Sequence, residues 1–173
     1  MNRYCITDSL EVAERAARDA VEMMQIRAKQ LSARELSGLV KTVLGVAQSS
    51  RILVNTRTDV AIACGAHGVH LPAGSMAAST IRRIAPTGFL IGVSCHTIEE
   101  LRASEREGAD FAVYGPVFPS STKSLAPIGI QAFQEAAASV RLPVYALGGV
   151  TAENAPRCIQ AGAAGVAGIS LFT

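Results

Sequence analysis

The amino-acid sequence predicts an α/β fold, a short (β/α)8 TIM barrel. Eight short apolar runs alternate with seven amphipathic stretches from one end of the chain to the other. Apolar and polar residues do not alternate within these runs, as is typical of parallel strands that are covered on both faces. A joint of helix, Gly-Ala and strand also recurs three times, which favours repeated βα units over an assorted α/β fold.

The elements follow from the positions of these runs. The predicted strands cover residues 4–7, 23–26, 52–55, 68–71, 90–94, 111–115, 144–147 and 166–170. The predicted helices cover residues 10–21, 33–47, 58–63, 77–84, 98–107, 130–140 and 152–160. Ser32 with Glu35, and Thr97 with Glu100, have the spacing of capping boxes that open two of these helices.

The recurring joint explains how helices return to strands. It occupies residues 64–69, 107–112 and 161–166, each with Gly-Ala at its second and third positions. Glycine adopts the left-handed backbone conformation that ends many helices, and a small Ala lets the next strand pack closely.

The last residues of the sequence suggest which part of the barrel surface a helix does not cover. The chain stops three residues after the eighth predicted strand, so we expect one domain over residues 1–173 that lacks the last helix. A strip of apolar barrel wall would then be uncovered, so we expect either a partner that covers it, such as a second copy in a homodimer, or a sequence that has been truncated. The alternative fold is an open doubly wound sheet, which usually has fewer strands.

Composition excludes several classes of protein. The chain is 49% hydrophobic and 17% charged, with a formal net charge of +2 and no extended run of Lys or Arg, so nucleic-acid binding is not expected. The four cysteines lack zinc-binding spacing and are expected to be free thiols. The N-terminus lacks a signal pattern, and no apolar run has the length of a membrane span, so we expect a cytoplasmic protein without membrane contact.

Side chains that follow the strands of a parallel barrel converge on one mouth, where active sites lie. Gln25, Arg27 and Lys29 alternate after strand two and should therefore face the same side. Gly148-Gly149 follows strand seven, and Gly168-Ile169-Ser170 ends strand eight. Arg, Lys and glycine turns at these places predict a phosphate site. The alternative without a binding role is that Gln25, Arg27 and Lys29 form an ordinary solvated strand end and that the glycines only permit tight turns.

Two further features of the mouth are candidates for chemistry. His96 follows strand five, and an imidazole there could move a proton near neutral pH, whereas His67 and His70 are less favoured. Ser94, on the same strand, is a further candidate. The longest irregular stretch, residues 116–129, carries Lys123 and leaves the same end of strand six.

These mouth residues together resemble the thiamin-phosphate synthase/TenI family over nearly the whole chain. The similar stretches are Tyr4-Cys5-Ile6-Thr7-Asp8, Gln25-Ile26-Arg27-Ala28-Lys29, Val54-Asn55-Thr56-Arg57, Gly68-Val69-His70-Leu71, Gly92-Val93-Ser94-Cys95-His96, Gly115-Pro116-Val117-Phe118 and Leu147-Gly148-Gly149-Val150. The resemblance implies a (β/α)8 barrel and a thiazole phosphate substrate. It also implies that diphosphate is held by Gln25, Arg27, Lys29, Asn55 and Lys123, and thiazole phosphate by Ser120, Thr122, Gly149, Ile169 and Ser170.

The sequence departs from the synthase pattern at two positions. Synthases of the family hold Mg²⁺ with two Asp residues, and the matching positions here are Thr56 and Ser75. Because a hard cation prefers carboxylate oxygens, the sequence predicts no protein-bound metal, and Mg²⁺ only if the chain is a synthase.

Three functions are consistent with this pattern. The first is a TenI-like thiazole tautomerase, which shifts a proton without a metal, with His96 as the catalytic residue implied by the resemblance. The second is a thiamin-phosphate synthase, which joins a pyrimidine diphosphate to thiazole phosphate and releases diphosphate. The third is a non-catalytic or regulatory protein that binds thiazole phosphate. Loss of both metal ligands favours the first.

Overall fold

A computed structural model describes residues 1–119, 126–169 and 171. It contains eight strands, namely β1 (Asn2–Thr7), β2 (Met23–Ile26), β3 (Arg51–Asn55), β4 (Gly68–Leu71), β5 (Leu90–Cys95), β6 (Phe111–Tyr114), β7 (Val144–Leu147) and β8 (Gly165–Gly168). The helices of the described residues are α1 (Leu10–Arg18), α2 (Ala33–Val46), α3 (Thr58–Cys64), α4 (Ala78–Arg82), α5 (Ile98–Arg106), α6 (Gly129–Ala138) and α7 (Ala155–Gln160).

The strands form a closed barrel in chain order, and every neighbouring pair is parallel. Pairing of β1 with β8 closes the barrel, with Asn2 opposite Gly165. The predicted (β/α)8 fold, with a helix after each of the first seven strands, is confirmed, and the open doubly wound sheet is excluded. A homodimer stays a prediction.

Two apolar layers hold the barrel together. The inner layer packs aromatic rings inside the barrel, where Tyr4, Phe111 and Tyr145 contact one another edge to face. The outer layer buries the helix faces against the outward side chains of the strands, such as Ile52 on β3 and Val166 on β8. This packing closes the bottom of the barrel and leaves its mouth open.

The local signals in the sequence correspond to real helix ends. Both capping boxes form, Ser32 with Glu35 and Thr97 with Glu100. The glycine of each Gly-Ala joint has a left-handed φ, namely 70° at Gly65, 79° at Gly108 and 89° at Gly162. All four cysteines are free thiols, as expected. In the described part of the chain, no helix is long and apolar enough to cross a membrane.

The seventh helix begins later than the sequence predicted. Residues 152–154 form a turn, and α7 starts at Ala155. The backbone N–H of Thr151 donates to Asn154 Oδ1 at 2.9 Å, and the N–H of Asn154 donates to Thr151 Oγ1 at 3.4 Å. These two contacts tie the ends of the turn together and satisfy N–H groups that have no partner within a helix.

Candidate active site

A cavity of about 400 Å³ lies at the carboxyl ends of the strands, where a barrel active site is expected. Its lining includes most of the described residues that the sequence singled out, namely Gln25, Arg27, Lys29, Asn55, Thr56, Ser94, His96, Gly148, Gly149, Gly168 and Ile169. No Asp or Glu is among the described lining residues. Their convergence on one cavity is observed, and their roles stay predictions. Ser120, Thr122, Lys123 and Ser170 lie outside the described residues.

One side of the cavity carries cationic and amide groups from the ends of β2 and β3. The N–H of Arg27 donates to Thr7 O at 2.8 Å, which continues the pairing of β2 with β1 beyond the last strand residue. The strand-like alternation therefore persists through Arg27, and it places Gln25 and Arg27 on the cavity side with Lys29 beyond them. This group can neutralise a phosphate or diphosphate.

Another side of the cavity is bare backbone at the end of β7. Gly148 and Gly149 have left-handed φ values of 95° and 62°. A Cβ at Gly149 would meet the carbonyl oxygens of Phe118 and Pro119, so only glycine fits there. Because these residues have no side chain, an anion can approach their backbone N–H groups closely, as in the recurrent phosphate site of barrels. Two strands, β8 and β1, lie between this glycine group and the cationic group of β2.

The ring of His96 has a defined orientation. Its Nδ1 is 2.8 Å from Gly115 O, so in the neutral ring Nδ1 carries the hydrogen and Nε2 has the free lone pair. The backbone N–H of His96 donates to Glu100 Oε2 at 2.5 Å, which ties the residue to the start of α5. A base with a fixed tautomer therefore stands at the cavity wall.

A buried chain of hydrogen bonds lies beneath the cavity and joins four strands. Gln25 Nε2 is 3.1 Å from Tyr4 Oη, Tyr4 Oη is 3.1 Å from His70 Nδ1, and His70 Nε2 is 2.9 Å from Ser94 Oγ. Burial, and secondarily the charge of Arg27, lowers the pKa of His70 to about 3. Burial also raises the pKa of Tyr4, against a smaller opposite effect of the Gln25 contact. Both groups are therefore neutral at physiological pH.

The sequence did not predict that Tyr4 and His70 are hydrogen-bond partners. A usable signal existed, because Tyr4 alternates with Ile6, and His70 with Gly68, at positions that should face the barrel interior. The distance between them along the chain hid the contact, since no local pattern shows which inward residues meet across a barrel.

The residues present do not fit a protein-bound Mg²⁺. Thr56 lines the cavity with a hydroxyl, and Ser75 Oγ turns to Met76 O at 3.5 Å. The nearby Asp59 is engaged by Arg57, which lowers the pKa of its carboxyl to about 2. Among the described residues, no cluster of three or more His, Cys, Asp or Glu side chains could hold a metal ion.

Comparisons with known proteins agree with this geometry. The family model described as thiamine monophosphate synthase matches residues 2–172. The chain is 41% identical to the putative thiamine-phosphate synthase 2 of Aquifex aeolicus, over 98% of this chain and 96% of that protein. It is 39% identical to the thiamine-phosphate synthase of Chlorobium luteolum, over 96% and 81%. The solved thiamine phosphate pyrophosphorylase from Pyrococcus furiosus superposes with a TM-score of 0.88 at 32% identity, over 98% and 85%.

Proposed function

Because the chain belongs to the thiamine monophosphate synthase family of thiamin biosynthesis, we propose that it is a thiamin-phosphate synthase. It would join a hydroxymethylpyrimidine diphosphate to a thiazole phosphate. The observation that carries the proposal is that one cavity has both a cationic side, from β2 and β3, and a glycine side, from β7, each of which suits an anion. A reaction between two phosphorylated substrates needs both groups, whereas a reaction of one monophosphate needs one.

The chemistry assigns different work to the two sides. The C–O bond between the pyrimidine methylene and the diphosphate breaks, and the electron pair leaves with the diphosphate. The lone pair of the thiazole nitrogen then forms the new C–N bond. Arg27 and Lys29 neutralise the charge that develops on the leaving diphosphate, which is where a positive group lowers the barrier most. The backbone at Gly148 and Gly149 holds the thiazole phosphate in reach.

No step is assigned to a protein-bound metal. Thr56 and Ser75 offer hydroxyl oxygens where Mg²⁺ prefers carboxylates, and the described cavity wall has none. Among the described residues of the cavity, neutralisation of the diphosphate therefore depends on Arg27 and Lys29.

The sequence favoured a tautomerase over a synthase, and the comparisons support the opposite order, since the relatives carry the synthase name. The tautomerase remains the second candidate on one observation. His96 offers a free Nε2 at a cavity wall without carboxylates, which suits a metal-independent proton shift.

The test is formation of thiamin phosphate from the two phosphorylated substrates, with saturating Mg²⁺ and with a chelator. Lys29→Gln should lower kcat/KM for the pyrimidine diphosphate by about ten- to a hundredfold, because a charged hydrogen bond contributes roughly 1.5–3 kcal/mol. The matched control is Lys41→Gln on the exposed face of α2, which should have the activity of the unaltered protein.

Two results would contradict the proposal. No thiamin phosphate under either condition, with thiazole phosphate still bound, would point to the tautomerase or to a non-catalytic binding protein. A proton-exchange assay on the thiazole would then separate those two. Equal effects of Lys29→Gln and Lys41→Gln would show that the cationic side of the cavity does not hold the diphosphate.

A further inference from the structure

The buried hydrogen-bond chain connects two residues that reach the cavity. Gln25, His70 and Ser94 line the cavity, and Tyr4 joins Gln25 to His70 from within the barrel. Tyr4 is 0% exposed, so water cannot replace a missing partner of its hydroxyl, and Gln25 and His70 are only 2% and 3% exposed. Among the described residues, no buried side-chain N or O atom lacks a hydrogen-bond partner. Gln25 also lines the cavity, so its second amide atom can meet a ligand there.

The three hydrogen bonds can all donate in the direction from Gln25 to Ser94. The amide NH₂ of Gln25 donates to Tyr4 Oη, and the Tyr4 hydroxyl donates to His70 Nδ1. The neutral imidazole then carries its hydrogen on Nε2 and donates it to Ser94 Oγ. In this state Gln25 presents its carbonyl oxygen to the cavity as an acceptor, and Ser94 presents its hydroxyl as a donor.

The same three hydrogen bonds can equally donate in the opposite direction, from Ser94 to Gln25. Ser94 then donates to His70 Nε2, and His70 Nδ1–H donates to Tyr4 Oη. The Tyr4 hydroxyl donates to the carbonyl oxygen of Gln25 after the amide has rotated by half a turn, a change that leaves its shape the same. Gln25 now presents an NH₂ donor to the cavity, and Ser94 presents an acceptor.

Mixed directions are disfavoured. They would leave Tyr4 between two acceptors with one hydrogen to donate, or between two donors with its own hydrogen unpaired, or they would require hydrogen on both ring nitrogens of His70. The doubly protonated ring is excluded at physiological pH, since burial lowers the pKa of His70 to about 3. A mismatched pair inside the barrel carries the full cost of desolvation without a compensating bond.

We propose that Tyr4 and His70 are positioning residues that couple Gln25 to Ser94, so that one donates into the cavity whenever the other accepts. On the proposed function, the ligand class is a phosphorylated heteroaromatic substrate whose polar ring edge pairs a donor with an acceptor. Such an edge has one donor and one acceptor, so it fits one direction of the chain and selects it. A ring edge with two acceptors faces an acceptor in either direction and is rejected.

The coupling can be read from the tautomer of His70 by ¹⁵N NMR of histidine-labelled protein at pH 8. Gln25→Glu places a pure acceptor next to Tyr4, which should shift His70 to the Nδ1–H form. Gln25→Leu removes the acceptor, so Tyr4 must donate to His70 and the Nε2–H form should dominate. Between the two variants the tautomer ratio should change by at least about tenfold, because an unmatched buried partner is costly.

The other two histidines of the chain are internal controls. The N–H of Ile52 donates to His67 Nδ1 at 3.0 Å, so His67 should stay in the Nε2–H form in every variant. His96 should stay in the Nδ1–H form, because its Nδ1 donates to Gly115 O. A purely structural role of His70 would leave its tautomer as insensitive as theirs.

The outcomes separate this proposal from the proposed function. Opposite His70 tautomers in Gln25→Glu and Gln25→Leu, with His67 unchanged, support the coupling. The same His70 tautomer in both variants overturns it, whatever the enzyme activity. If only one variant folds, the form predicted for it still decides: the Nε2–H form in Gln25→Glu, or the Nδ1–H form in Gln25→Leu, would overturn the coupling. Absence of thiamin phosphate formation together with coupled tautomers would overturn the synthase alone.

Discussion

Thr56 stands in a backbone conformation that its side chain disfavours. Its φ is 63°, in the left-handed region, where a β-branched residue is an outlier. The conformation is held by two backbone hydrogen bonds, from the N–H of Thr56 to His70 O at 2.9 Å and from the N–H of Thr58 to Thr56 O at 3.0 Å. The strain lies at the cavity wall, where such strain commonly occurs.

Thr56→Asn should therefore stabilise the protein. An L-residue in the left-handed region costs roughly 1–2 kcal/mol, and Asn tolerates this region because its short polar side chain hydrogen-bonds locally. The contact from Asn55 Nδ2 to Thr56 Oγ1, 3.0 Å long, can be remade to the new amide oxygen. We expect a gain of about 1 kcal/mol, which for a chain of this size raises Tm by about 2–4 °C.

The assay is thermal and urea unfolding of the two proteins at the same pH. The matched control is Thr42→Asn on the exposed face of α2, where Thr and Asn have similar helix propensities and the change should stay within about 0.5 kcal/mol. A Thr56→Asn protein no more stable than the unaltered chain, with the control unchanged, would refute the reasoning that Thr56 is strained.

Two further predictions concern the glycine side of the cavity and the buried histidine. Gly149→Ala should lower the free energy of unfolding by about 1–3 kcal/mol and weaken thiazole phosphate binding, because its φ is 62° and the new methyl group meets carbonyl oxygens. Its control, Gly38→Ala inside α2, has open space around the methyl group and should instead stabilise by about 0.5–1 kcal/mol; equal signs in calorimetry would contradict the argument. The pKa of His70 is about 3 in the folded protein against an ordinary 6.5, so between these values only the unfolded chain binds the proton. Stability should therefore fall as the pH drops below 6.5, with His70 contributing a slope of about 1.4 kcal/mol per pH unit in urea unfolding. An unchanged acid-side slope in His70→Gln would show that another group is responsible.

Much of the barrel could be predicted because its signals are local. The strands are short apolar runs, and the helix ends are marked by residues that act within one turn, such as Ser32 and Gly65. The mouth residues could also be assembled from the sequence. In a parallel barrel the ends of all strands meet on one side, so Arg27 and His96 share a cavity although 69 residues separate them.

The limits of α7 and the preference for a tautomerase show where local reasoning is weak. The start of α7 depends on the turn before it, in which the Asn154 side chain bonds back to Thr151 N–H and to Gly149 O rather than to the helix. The preference for the tautomerase over the synthase depended on two missing carboxylates, because Thr56 and Ser75 occupy the positions where synthases have Asp. The relatives that carry the synthase name support the synthase instead.

The sequence by itself determined the periodicity of strands and helices, the caps, and the set of polar residues at the barrel mouth, because each depends on neighbours along the chain. Only the tertiary structure decided that Tyr4 on β1 meets His70 on β4, and that Gln25 and Ser94 are thereby linked. These strands are not neighbours in the sheet, and their inward side chains touch only when the barrel closes. The same holds for the left-handed φ of Thr56, which is held by a hydrogen bond to the neighbouring strand rather than by its own sequence.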